Sequence, residues 1–397
     1  MLKTNKTDIV NQQGRPVLLK GVNLGGWLMM EAYILHALNF PEQAFKKQFA
    51  RTLGEAALRD FEKRFRDHFI QEEDFRRIAG MGLNCVRVPF HYRLIESSPY
   101  RYNSKGLSYL DRVVEWGKKY NIYIILDLHA AAGAQNYDWH SDSLGKAELW
   151  QKKSFQDRTY ALWERIADHY KDEPIVAGYD LLNESVIEDD KKLNTFYRQL
   201  IRRIRGVDRN HIVFVEGNKW ATDLQCLDRL ADDNLVLSAH SYEPLDFTFN
   251  FVPQLVYPRD SREHSYNKRS RREWLERYRE IADRWEVPVF VGEFGVNGRQ
   301  GLYGEDVWLK DTLDCFKELG FHWAYWTYKA MKSAIFPDGI YSYLFNPPWV
   351  NRPGPRQGWD TYAALWPKHK KEMVDSWRTE NFSENTKVLQ ALKEAAA

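Results

Sequence analysis

Two apolar runs in this sequence stop abruptly on a glutamate: Leu181-Leu182-Asn183-Glu184-Ser185 and Val291-Gly292-Glu293-Phe294-Gly295. A carboxylate at the end of a buried run needs a partner or a task, because a buried, unpaired charge is costly. Two such groups facing each other across a cleft could cleave a glycosidic bond. At a separation of roughly 5–5.5 Å, one attacks the anomeric carbon and the other protonates the leaving oxygen. The competing explanation is a pair of ion-paired or helix-capping glutamates, since structural charge networks also perturb such positions.

Other apolar runs end on polar groups as well. Arg87 lies in Asn84-Cys85-Val86-Arg87-Val88-Pro89, and His129 closes Leu126-Asp127-Leu128-His129. His240 and Tyr242 fall in Ala239-His240-Ser241-Tyr242, and Trp326 in Trp323-Ala324-Tyr325-Trp326-Thr327. Singly, each has a bland explanation: an ion pair, a satisfied core histidine, a packed indole. Together they offer a cation, two imidazoles, a phenol, an amide and an indole around two carboxylates, which is what a reactive site requires.

The elements that must position these groups are legible as strands at 17–24, 85–90, 122–129, 175–184, 211–217, 234–242, 287–295 and 323–329. Several are nearly continuous apolar runs, as strands buried on both faces should be. Between them the apolar spacing changes to a helical period at 107–121, 155–170, 195–205, 274–285 and 307–319. Alternation of this kind predicts an α/β fold, a (β/α)8 TIM barrel. A doubly wound dinucleotide-binding sheet is the rival, but no GxGxxG follows the first strand. Long connections at 25–71, 130–152, 243–270 and 330–366 all follow strands, which puts them on the face where barrels carry their sites. The reading is one catalytic domain over 1–397, with a helical insertion at about 40–70 and a C-terminal helical tail.

Composition narrows the function. The chain of 397 residues exceeds the roughly 250 of a bare barrel, so the loops must absorb the surplus. A formal net charge of +2 argues against nucleic acid or an anionic membrane as partner. The basic runs Lys268-Arg269-Ser270-Arg271-Arg272 and Lys368-His369-Lys370-Lys371 read as solvated faces or helix ends. Cys85, Cys226 and Cys315 form no CxxC pair, and the sparse, odd count fits a reducing compartment or a secreted enzyme independent of disulfides. The N-terminus lacks a signal-peptide pattern and no apolar run is long enough to span a membrane, so the expected location is cytoplasmic. A secreted enzyme whose leader had been removed would read the same way. Fifteen Trp and 22 Tyr suit sugar faces as well as a large core.

These residues resemble glycoside hydrolase family five, the cellulase family. Arg87, His129, Asn183, Glu184, His240, Tyr242, Glu293 and Trp326 match its ordered positions. The resemblance runs from about Leu18 to Lys329 and implies a retaining glycoside hydrolase on a (β/α)8 barrel. It implies that Glu184 is the general acid/base and Glu293 the nucleophile. Arg87 and Tyr242 would then hydrogen-bond Glu293 and keep it ionised, while Glu184 would hold the higher pKa and so its proton. Asn183 would bind the sugar 2-hydroxyl, His129 other hydroxyls, His240 would support the carboxylate pair and Trp326 would stack under the sugar. Asn23-Leu24-Gly25-Gly26-Trp27-Leu28-Met29-Met30-Glu31 and Asp127–Asn136 resemble the exo-β-1,3-glucanase/β-glucosidase branch. That adds Glu31 and Asn136 as sugar-binding candidates. This chain departs from the branch at Ala130-Ala131-Ala132 and at Phe294, where many exo-enzymes carry Trp.

The implied partner is a β-linked oligo- or polysaccharide or a β-glucoside, and no cofactor is implied. Exo attack is the first expectation and endo-β-glucanase activity the alternative. A non-catalytic carbohydrate-binding protein is the reading from another class. A metal-dependent hydrolase could draw on His129, His140, His240, Asp127 and Asp138, but there is no HExxH and no His-x-His on the first strand.

Overall fold

The computed structural model describes residues 1–37, 39–260, 265–350 and 361–397. Parts of the two longest late connections, 261–264 and 351–360, lie outside the described residues.

Eight strands close into a barrel: β1 (Lys20–Asn23), β2 (Cys85–His91), β3 (Tyr123–Ala130), β4 (Val176–Asp180), β5 (Ile212–Glu216), β6 (Leu235–His240), β7 (Val289–Phe294) and β8 (His322–Tyr325). Each pairs in parallel with its sequence neighbours, and β8 returns to β1. The expected (β/α)8 barrel is therefore the fold, and each of its eight strands overlaps one of the segments read from the sequence.

Alternation of side chains along a strand stacks the interior in layers. Leu19, Cys85, Ile125, Ile212, Phe214, Val236, Phe290 and Ala324 form an apolar cluster, joined by Leu2 and Ile9 of the N-terminal hairpin. Two residues further along the same strands stand Arg87, Asp127, Glu216 and Ser238, and two further again His129 and His240. An apolar plug thus supports a charged layer, which supports the groups at the mouth. Glu293 is out of phase with Phe290. A register irregularity between β6 and β7, where His240 pairs with Glu293, brings it to the same face.

The five helices read from the apolar stripe are present, but they start earlier. Their true beginnings are polar first turns: Asn103, Asp189 and Asn267 cap the helices Ser104–Tyr120, Asp190–Arg205 and Lys268–Trp285 with side-chain oxygens. Helices Glu42–Leu53 and Glu55–Phe69 follow the β1 loop, and Thr386–Ala396 lies near the C-terminus. Between β5 and β6 there is only a short turn, Asn218–Ala221, in which Lys219, Trp220 and Ala221 all have positive φ.

Candidate active site

Arg87 is fully buried and holds the charged layer together. Its Nε donates to Asp180 Oδ2 at 2.8 Å, and its Nη1 donates to Glu293 Oε1 at 2.8 Å and Asn23 Oδ1 at 3.1 Å. Nη2 donates to Asn183 Oδ1 at 2.9 Å and Glu216 Oε1 at 3.0 Å, with Asp127 Oδ1 at 3.2 Å. Burial drives the pKa of both Asp127 and Asp180 upward, and Arg87 opposes that rise. The same acids hold the guanidinium firmly charged in spite of its burial.

Glu293 receives a second donor from just beyond the neighbouring strand β6, the Tyr242 hydroxyl, 2.8 Å from Oε2. Both oxygens therefore accept a hydrogen bond, one of them from a cation.

Glu184 follows the end of β4, where the backbone leaves the ladder. Its φ is +49°, a left-handed conformation that costs on the order of 1–3 kcal/mol for a residue with a Cβ. Two contacts hold it there. The Glu184 N–H donates to Glu216 Oε2 at 2.6 Å, and Asn136 Nδ2 donates to the Glu184 carbonyl at 2.9 Å. The carboxyl then meets two histidines: His240 Nδ1 lies 2.7 Å from Oε1 and His140 Nε2 lies 2.9 Å from Oε2. His240 Nε2 lies 3.2 Å from Glu216 Oε1.

Here one expectation is corrected. Glu184 does not carry a raised pKa. Burial pushes it up, but the hydrogen bonds and charges of His140 and His240 outweigh burial and hold the carboxyl well below the usual range. Both imidazoles respond in the opposite sense, His140 being raised to about 9 and His240 well above its ordinary value against the effect of burial. The sequence reading gave His240 to the support of the carboxylate pair and weighed His140 only as a metal ligand.

The remaining candidates line the mouth. His129 lies parallel to the Trp326 indole, 5.5 Å between ring centroids at 5°, with Nδ1 2.8 Å from Asp127 Oδ2. Burial lowers its pKa to about 3, so the ring is neutral and free of charge at working pH. Trp326 Nε1 donates to the Tyr33 hydroxyl at 2.6 Å. Gly25 allows that indole its place, because a Cβ there would come within 2.9 Å of the ring. Glu31 is buried with Oε2 unpartnered, and burial pushes its carboxyl well above the ordinary value. Asn183 also keeps a buried, unpartnered Nδ2. Asn136 spends its amide on the Glu184 backbone and lies 3.1 Å from His140 Nε2. Tyr33, Trp139, Phe249 and Phe336 form an aromatic wall beside Tyr242.

Glu216, His140, Asp127, Asp180 and Tyr33 belong to the site without having been chosen for it from the sequence. Alternation along β3 and β5 was the available signal for Asp127 and Glu216, each two residues beyond an apolar barrel-interior position. Two acid groups have metal-like spacing, Glu184–His240–Glu293 and Asp127–Asp180–Glu216. Among the described residues, the positive charge facing these groups comes from Arg87, His140 and His240.

The chain matches the family model for cellulase, glycosyl hydrolase family 5, over residues 46–332. It is 34% identical over 345 residues to a beta-xylosidase of Phanerodontia chrysosporium, covering 83% of this chain and 70% of that one. It is 27% identical over 351 residues to endoglucanase C of Acetivibrio thermocellus, covering 80% and 93%. The crystal structure of endoglucanase Cel5A from Thermotoga maritima superposes with a TM-score of 0.64 at 19% identity, covering 94% and 96%.

Proposed function

The chain belongs to the cellulase family, glycosyl hydrolase family 5, and on that premise we propose that it cleaves β-glucosidic linkages by double displacement, with Glu293 as nucleophile and Glu184 as general acid/base. One observation carries this reading. An oxygen of Glu184 and an oxygen of Glu293 lie within 4.8 Å of each other. Retaining enzymes hold their carboxyls at roughly 5–5.5 Å, whereas inverting enzymes need roughly 6.5–9.5 Å to admit a water.

Each group has a task in that reaction. Arg87 and Tyr242 hold Glu293 in a fixed orientation, one through each carboxyl oxygen. Glu184 protonates the leaving oxygen, then takes a proton from the water that releases the sugar. The unpartnered Asn183 Nδ2 is a donor for the sugar 2-hydroxyl, a contact that strengthens as the ring becomes oxocarbenium-like. Trp326, backed by His129, offers an apolar face to the ring.

For the substrate, internal cleavage of a β-glucan has more support than the exo attack first expected. The endoglucanase relative aligns over nearly its whole length. The second reading, attack at a terminal sugar, keeps one observation in its favour: the buried, unpartnered carboxyl oxygen of Glu31. Viscosity and reducing ends measured together on carboxymethylcellulose and laminarin separate the two. Endo cleavage predicts a viscosity drop ahead of product, and glucose released without a viscosity drop supports the terminal reading. For the roles, azide added to Glu184→Ala on an activated aryl glycoside should give a β-glycosyl azide, and azide added to Glu293→Ala an α-azide. The reverse pattern would exchange the two roles.

A further inference from the structure

His140 stands out among the groups that the mechanism leaves unused. It sits in the one-turn segment Trp139–Ser141 of the loop after β3, with its side chain largely enclosed. That loop is tied down at several points. Asn136 donates to the Glu184 carbonyl, and its Oδ1 accepts from the Asp138 N–H at 2.9 Å. Asp138 in turn accepts from the Trp220 indole at 2.8 Å, and Ser141 Oγ donates to the Asp138 carbonyl at 2.9 Å. The Trp139 ring stands edge-on to the imidazole. The charged and titratable groups that act on His140 are Glu184, Glu31, Asp138 and, from β3, His129.

The contacts at His140 Nε2 suit two protonation states. A protonated Nε2 donates to Glu184 Oε2, 2.9 Å away. Asn136 Nδ2, 3.1 Å away, carries only hydrogens and can donate to that nitrogen only once its proton has left. The Asn136 amide cannot turn over without losing both its bond from Asp138 N–H and its bond to the Glu184 carbonyl. Each state of Nε2 therefore has a partner already in place. A fixed counter-charge would need only the first.

Resting on the reading of Glu184 as acid/base, we propose that His140 is a positioning residue that stores the acid proton of the site, holding it on Nε2 and passing it through Glu184 Oε2 to the leaving oxygen. In the first half-reaction one proton moves from Nε2 to Oε2 and one from Glu184 to the departing oxygen. The C–O bond breaks as Glu293 forms its ester, and His140 is left neutral, accepting from Asn136. In the second half-reaction Glu184 takes a proton from the attacking water and the pair returns one to Nε2. The proton count closes over the cycle. This reconciles an acid/base glutamate held ionised in the free site with the need for a proton at the moment of bond cleavage.

The test uses aryl β-glucosides and aryl β-cellobiosides with leaving groups from 2,4-dinitrophenol to phenol. For His140→Gln, kcat/KM should fall about 10- to 100-fold on phenyl glycosides and less than about threefold on dinitrophenyl glycosides, a partial loss of the roughly 10²- to 10⁴-fold that general-acid assistance supplies. The basic limb of its pH profile should move to lower pH. Wild type alone offers a check that needs no folded variant. Its basic limb on phenyl glycosides should lie above pH 7, because the proton is lost from the pair. Equal losses across the leaving groups with an unmoved limb, or a wild-type limb below pH 5, would overturn the proposal. Failure of the underlying reading looks different: Glu184→Gln would then keep its activity on phenyl glycosides.

Discussion

Arg87 Nη1 donates to Glu293 Oε1 at 2.8 Å while the guanidinium as a whole is shut away from solvent. The same guanidinium ties Glu293 to Asp180, Asn183 and Glu216. The position of Glu293, the proposed nucleophile, and the stability of the barrel's charged layer therefore depend on one side chain.

Replacing Arg87 with Lys should damage both. A single ammonium cannot span acceptors contributed by β4, β5 and β7, and the acids left behind are buried. Stability in urea should fall by about 3–5 kcal/mol, the range for breaking a buried pair from one side. Among molecules still folded, kcat should fall by at least about 10²-fold.

Tyr242→Phe separates the two roles. It removes only the hydroxyl that donates to Glu293 Oε2. A hydrogen bond to a charged group contributes about 1.5–3 kcal/mol, so kcat/KM should drop roughly 10- to 100-fold. The thermal midpoint should change little, because Arg87 still holds the other oxygen. A large fall in midpoint with unchanged kcat/KM would show that the hydroxyl serves the fold.

The Glu184–His140 pair makes stability depend on pH from both sides. His140, raised to about 9, stabilises the fold below its ordinary value near 6.5, and that contribution is lost as pH rises through 9. Glu184, held low, stabilises above its ordinary value near 4.3 and loses that contribution on acidification. The difference in unfolding free energy between wild type and His140→Gln should therefore be greatest at about pH 5–6.5, on the order of 1–3 kcal/mol, and shrink toward pH 9.5. Urea titrations at three pH values measure it. A difference that grows with pH would contradict the pairing.

The barrel was legible in the sequence because strands buried on both faces must be written as apolar runs, and the helices between them as 3.6-residue stripes. Glu184 and Glu293 were legible because a charge ending such a run is conspicuous. What escaped depends on tertiary convergence. His140 lies 44 residues before Glu184 on an irregular loop, and nothing in Tyr137-Asp138-Trp139-His140 announces its partner. Without that partner the sequence reading expected Glu184 to be raised, whereas His140 and His240 hold it low. The fourth strand was read through to Glu184, but regular pairing stops at Asp180 and the left-handed turn that aims the carboxyl comes after it. That turn depends on Glu216 and Asn136, which are distant in sequence.

Glu31 offers a direct reading of substrate mode. Burial pushes its carboxyl well above the ordinary value, so Glu31→Gln, a near-isosteric exchange, should leave stability within about 0.5 kcal/mol of wild type. Under internal cleavage, viscosity loss on carboxymethylcellulose should persist in this variant while turnover of aryl β-glucosides declines. Parallel loss of both would instead assign Glu31 to the reaction itself.

The stereochemistry of the first product tests the central claim most directly. Proton NMR recorded within the first minutes of hydrolysis of an aryl β-cellobioside, before mutarotation, reports the anomer released. Double displacement through Glu293 predicts the β-anomer, later relaxing to the equilibrium mixture. Initial release of the α-anomer would mean a single displacement by water, and would contradict the nucleophile assignment and the reading of the carboxyl spacing together.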